Sequence, residues 1–274
     1  ELLVGTRDGL LVGPPADLAR SLDAHVTSVA VGPDGTRWVG TEPSAVYRSR
    51  PDGFRPCADL TDLPSADSWA FPPRPETHHV RWVGVAPDDP GRLYVAIEAG
   101  ALVRSTDGGA SWRDRIPGGP RDTHGMATHP DRPARLLAAA GDGFAVTRDR
   151  GDSWTFEVAG LDRMYCWSVA VDPGDPDRLL LSAAPGAHAA HRRPAEAAVF
   201  RRAGERPWER VGLPTDPDAT RAVLAADGPG RCWAADDDGV CLTGDWGETW
   251  TRVADTPGES AAAGVAILGP SPDR

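Results

Sequence analysis

A chain of 274 residues with 40% hydrophobic content has room for one large all-β domain or two ordinary ones. Its 31 glycines and 27 prolines exclude a mainly helical protein and suit many short strands joined by tight turns. A formal charge of −11 repels a phosphate backbone, so neither nucleic acid nor an anionic membrane is an expected partner.

All 29 basic residues are arginine, which excludes Schiff-base lysine chemistry and a phosphate-loop lysine. No apolar run approaches the roughly 20 residues of a bilayer span. "ELLVGTRDGLLVG" at residue 1 alternates like a strand instead of forming a signal core. A soluble, cytoplasmic chain is expected, although without an initiator Met a segment removed before Glu1 stays open. Cys57, Cys166, Cys232 and Cys241 show no C-x-x-C spacing and read as free, mostly buried thiols.

In chain order, "LLVGTRDGLLVG" (2–13) reads as two strands. "HVTSVAV", "GPDGTR" and "WVGTEPSAVYRS" from 25 then alternate strand and turn, and the same series returns as "HHVRWVGV", "APDDPGR" and "LYVAIEAGALVRS" from 78. It recurs as "THGMAT", "HPDRPAR" and "LLAAAGDGFAVTR" from 123, and as "YCWSVAV", "DPGDPDR" and "LLLSAAPG" from 165. "TRAVLAA", "DGPGR" and "CWAADDDGVCLTG" from 220 complete the series. Each unit supplies four short strands, the content of a propeller blade. The spacing predicts an all-β, six-bladed β-propeller in preference to seven blades, a single domain over 1–274. Its blades fall at approximately 25–57, 79–115, 122–158, 164–211, 218–253, and a last one joining 258–268 to 1–23. Pairing the two chain ends in one blade closes the ring and leaves no open sheet edge.

Three octets punctuate this series: "STDGGASW" (105–112), "TRDRGDSW" (147–154) and "TGDWGETW" (243–250), all Ser/Thr-x-Asp-x-Gly-x-x-Trp. Asp107, Asp149 and Asp245 fall in the turn between third and fourth strands, where a carboxylate accepts hydrogen bonds from backbone N–H groups. Gly109, Gly151 and Gly247 permit positive φ, and Trp112, Trp154 and Trp250 pack onto the sheet. With the "DPxDPxR" turns, these octets make nearly the whole chain resemble the Asp-box (BNR) repeat β-propellers, the repeat of sialidases, other glycosidases and photosystem assembly factors. The resemblance implies that the boxes are structural and lie away from the active site. It does not extend to sialidase chemistry, because Arg115-Ile116-Pro117 follows a mid-chain box where a loop is expected.

Aligned blades place His25, His79, Asp122 and Tyr165 at first-strand starts, with Thr27, Arg81, His124 and Trp167 two residues on along the same face. Arg7, Glu42, Glu98 and Asp236 close second strands. These polar residues are expected to converge on one mouth of the channel, covered by the insertions "DLPSADSWAFPPRPETH" (62–78) and "PGAHAAHRRPAEA" (185–197). His25, His79 and His124 either bind one divalent metal together with Glu42 or Glu98, or are hydrogen-bonded around a wet channel. Glu42 and Glu98 either work as acid and base with His79 and His124, or balance nearby arginines. Arg81 and Arg7 are expected to bind an anionic or polar group; Tyr165, Trp167 and Trp69 either stack on a ligand or belong to the core. The resulting expectation is a hydrolase- or lyase-like enzyme for a small polar or carbohydrate-like molecule, the rival being a non-catalytic protein- or peptide-binding module.

Overall fold

The computed structural model describes residues 2–14 and 16–256, and by contact the chain divides into two compact units. The first comprises Glu1–His124, Pro133–Leu136 and Thr147–Thr155, and the second Gly125–Arg132, Leu137–Val146 and Phe156–Arg274.

In the first unit, β1 (Leu2–Gly5), β2 (Leu10–Gly13) and β3 (Ala19–Leu22) form a three-stranded antiparallel sheet in chain order. Next comes a four-stranded sheet of β4 (His25–Val31), β5 (Arg37–Glu42), β6 (Val46–Arg50) and β7 (Gly53–Pro56). β8 (Val80–Ala86), β9 (Asp89–Ile97) and β10 (Ala101–Ser105) follow, where the expected fourth strand is reduced to a single bridge between Arg104 and Arg113. The core of this unit is built by alternation: Leu93, Val95 and Ile97 of β9 point one way, into a cluster with Trp38, Val46, Val80, Val83 and Val103.

A further sheet runs in order through β11 (Thr123–Thr128), β12 (Leu136–Ala140), β13 (Gly143–Thr147) and β14 (Thr155–Phe156).

The second unit holds the sheet of β15 (Tyr165–Asp172), β16 (Asp175–Ala184), β17 (Ala198–Ala203) and β18 (Glu209–Val211). It also holds that of β19 (Val223–Gly228), β20 (Arg231–Ala235), β21 (Gly239–Thr243) and β22 (Thr251–Asp255). β16 turns apolar side chains to both faces: Leu179, Leu181 and Ala183 enter one cluster with Phe144, Phe200 and Trp208, while Leu180 enters another with Leu224, Ala234 and Trp246. A strand buried on both faces has no polar side to present.

The three octets adopt one hydrogen-bonded geometry. Asp107 Oδ1 accepts from Ser105 Oγ at 2.8 Å and from Ser111 N–H at 2.9 Å, and Oδ2 accepts from Ser111 Oγ at 2.6 Å. Asp149 repeats this with Thr147 and Ser153, and Asp245 with Thr243 and Thr249. Each carboxylate therefore takes one backbone N–H and two hydroxyls, not backbone donors alone. The glycines have φ of +81°, +86° and +86°, in the left-handed region closed to most side chains. Their N–H groups donate to the first hydroxyl of each octet. Trp112 and Trp250 pack, partly buried, against the cores of their units.

All four cysteines are free, three of them buried, and burial pushes the Cys166 and Cys232 thiols up to about 12. No helix among the described residues is long and apolar enough to cross a membrane. The expected strand at 258–268 lies outside the described residues; within them β1 pairs with β2 alone.

Candidate functional site

Strand register assembles the first part of the site. Val80 pairs with Ile97, so His79 and Glu98 face each other just past the strand ends, and Glu98 N–H donates to the His79 carbonyl at 3.3 Å. Their side chains meet: His79 Nε2 and Glu98 Oε2 share a hydrogen bond of 2.7 Å. The pairing slips between Val80 and Trp82, making Arg81 the bulged residue, and Arg81 Nε reaches to 3.7 Å from Glu98 Oε2. Comparable slips occur at Thr27 and Trp167. Bulges break the two-residue alternation and re-aim side chains, and they recur beside active sites.

β11 supplies the rest. Asp122, just before β11, and His124, two residues on, fall on one side of the strand. His124 is fully buried, with Nε2 3.4 Å from Asp122 Oδ2, while Asp122 Oδ1 accepts from Ala99 N–H at 2.9 Å. Glu98, Asp122 and His124 bring one potential ligand atom each to within 4.8 Å of one another. Burial raises the Glu98 carboxyl, but the His79 hydrogen bond and the charges of Arg81, His79 and His124 outweigh it, leaving the pKa below the usual value. For Asp122 burial likewise raises it, and the close approach and charge of His124, the Ala99 N–H and Arg81 bring it below. Both carboxylates are thus held ionised.

Glu42 has different partners. His25 Nδ1 lies 3.6 Å from Glu42 Oε2, Arg74 Nη2 donates to the same oxygen at 2.7 Å, and Thr77 Oγ1 donates to Oε1 at 3.3 Å. Arg74 and Thr77 belong to the insertion, so Glu42 anchors that segment. The three-histidine metal set expected from alignment does not assemble: His25 is spent on Glu42 and His79 on Glu98, and only His124 joins a ligating group.

The insertion also covers His79, its Phe71 ring meeting the imidazole edge-on at 4.8 Å. Trp69, one candidate for ligand stacking, is instead 5% exposed in the core, with Nε1 donating to Ser65 Oγ. A Cβ on Gly100 would lie 2.9 Å from its ring, so the indole face is occupied. Arg7 stands exposed in the turn between β1 and β2.

In the second unit, Tyr165 and Trp167 stack at 6.3 Å, and Arg221 caps Trp167 at 4.1 Å from the ring centroid. His191, which ends the short helix α1 (Ala187–Ala190) of the other insertion, meets Trp167 edge-on at 5.1 Å. Trp167, expected either to stack on a ligand or to belong to the core, is 6% exposed and contacts the protein's own groups. Asp236, expected at a mouth, turns inward and accepts from the N–H groups of Asp238 and Gly239. Arg74 carried no signal in the sequence beyond its place in the insertion, whereas Asp122, two before His124, was visible from its spacing.

No family model matches the sequence, and a search of curated proteins finds no match. Among solved structures the chain is similar to a GH74 enzyme of Niastella koreensis, with 13% identity and a TM-score of 0.71 over 92% of this chain and 43% of that one. It is similar to YCF48 bound to D1 peptide, with 15% identity and a TM-score of 0.63 over 91% of this chain and 75% of that one. An ancestral GH74 enzyme matches with 13% identity and a TM-score of 0.70 over 92% of this chain. The chain spans 43% and 36% of the two GH74 chains. Together with the six sheets strung in chain order among the described residues, these likenesses define a β-propeller fold. That class hosts enzymes and binding proteins alike, so function rests on the site.

Proposed function

We propose that this propeller is a hydrolase- or lyase-like enzyme acting on a small polar or carbohydrate-like molecule, with its chemistry at His79, Arg81, Glu98, Asp122 and His124. The observation that carries the reading is the His79–Glu98 pair. Its hydrogen bond is 2.7 Å, and His79 Nδ1, buried, has no hydrogen-bond partner among the described residues. An imidazole oriented through one nitrogen by a carboxylate, with the other nitrogen uncommitted, is arranged to take and return a proton. Arg81, re-aimed by its bulge, supplies a guanidinium for an anionic or polar substrate group. Burying this many charged groups at one corner costs stability, which favours a functional reason for them.

Incubation with a small-molecule metabolite extract, read by mass spectrometry, tests the reading. Wild type is expected to consume at least one component that folded Glu98→Gln and His79→Gln variants leave intact. If wild type consumes none, or the variants match it, the reading falls.

A second reading, a peptide-binding module, draws on the likeness to YCF48 bound to D1 peptide and on the exposed Val29, Val31 and Trp82 of β4 and β8. The proposal also retains one propeller domain over 1–274.

A further inference from the structure

The geometry points to a divalent transition-metal site whose ligands are Glu98, Asp122 and His124. The inference rests on the same corner as the proposed activity but stands on separate observations. Asp122 Oδ2 and His124 Nε2 are 3.4 Å apart, longer than the roughly 2.7–2.9 Å of a charge-assisted hydrogen bond. Two ligands about 2.0–2.1 Å from a tetrahedral centre stand about 3.4 Å from each other. Glu98 contributes the third atom, all three lying within 4.8 Å.

Each carboxylate is held from outside the group. Asp122 Oδ1 accepts from Ala99 N–H at 2.9 Å, leaving Oδ2 on the His124 side. His79 Nε2, 2.7 Å from Glu98 Oε2, and Arg81 Nε, 3.7 Å from the same oxygen, steady the other carboxylate. Outer partners of this kind orient metal ligands and tune affinity. His124 is fully buried and the Glu98 side chain 12% exposed, while the Asp122 side chain, 25% exposed, leaves an open side through which an ion could enter.

The donor set selects the ion. One imidazole with two carboxylates suits zinc, manganese or a similar divalent metal, and disfavours copper(I), which prefers sulfur. Two carboxylates against the one guanidinium of Arg81 leave net negative charge for a dication when the imidazoles are neutral. Three protein ligands leave a position for water or a substrate oxygen.

Chelator-stripped protein titrated with zinc chloride, and separately with manganese chloride, by calorimetry tests the assignment. Wild type is expected to bind one equivalent of at least one metal, with affinity at least tenfold lower in Asp122→Asn and His124→Gln and unchanged in His25→Ala. No binding of either metal, unchanged affinity in both ligand variants, or loss in His25→Ala would overturn it. Should the ligand variants fail to fold, cobalt(II) added to wild type decides. Ligand-field absorption unlike aqueous cobalt supports the site, and an aqueous spectrum refutes it. Metal bound without turnover sinks the proposed activity and keeps the site; turnover that needs Glu98 without bound metal does the reverse.

Discussion

Asp107 shows how a single side chain is made to matter by its neighbours. Three donors converge on it, and the Ser111 hydroxyl and N–H, followed by the Ser105 hydroxyl, hold its carboxyl down at about 2. Asp149 is likewise held at about 2, led by the Ser153 hydroxyl; at Asp245 burial raises the carboxyl, but the Thr249 and Thr243 hydrogen bonds bring it to about 2. A depressed folded value means the carboxylate stabilises the fold above its unfolded pKa, near 3.8, and that contribution fades as pH falls toward the folded value. Exposure to solvent trims the effect. Asp107→Asn is expected to lower unfolding free energy by about 1 kcal/mol near neutral pH. The difference from wild type, read from urea midpoints, should shrink steadily below about pH 4. A difference independent of pH would place the effect elsewhere. The octet was legible in the sequence because its bonds are local; the second hydroxyl, at Ser111, Ser153 and Thr249, is equally regular but carries meaning only once Oδ2 is seen to accept from it.

At the scale of elements, the insertion 62–78 was expected as a cover over a polar mouth. It is pinned by an apolar anchor, Trp69 in the core of the first unit, and by Arg74 on Glu42. Composition marked the aromatic residues but cannot say which face a loop tryptophan turns, since that depends on the gap left by Gly100 in a distant turn. Trp69→Ala is expected to cost about 3–5 kcal/mol, the usual penalty for emptying a buried aromatic site. Gly100→Ala, which would press a methyl within 2.9 Å of the same ring, is expected to cost about 1–3 kcal/mol. Chemical unfolding of both variants checks this; a tolerant Trp69→Ala would mean the loop is held by its polar anchors, Arg74 and Thr77 on Glu42 and Ser65 on Asp114. The bulge at Arg81 was also beyond the pattern, because an alternation count assumes an unbroken register.

For the whole molecule, the repeat count, the strand order and the box positions followed from periodicity, which survives however individual side chains turn. The site was less legible. Alignment grouped three histidines by blade position, whereas each is taken by a nearby carboxylate: His25 by Glu42 and His79 by Glu98 across a strand end, and His124 by Asp122 two residues earlier in the chain. One propeller domain is expected to give a single cooperative calorimetric transition. Two separate transitions would contradict a single domain. The central claim is that the charged corner serves function and not stability, and the unfolding free energy of the His79→Gln/Glu98→Gln double variant tests it most directly. A neutral amide pair gives up the attraction together with the desolvation cost, so the account predicts a value within about 1 kcal/mol of wild type. A loss of about 3 kcal/mol or more would show that the pair holds the fold together and would contradict the account.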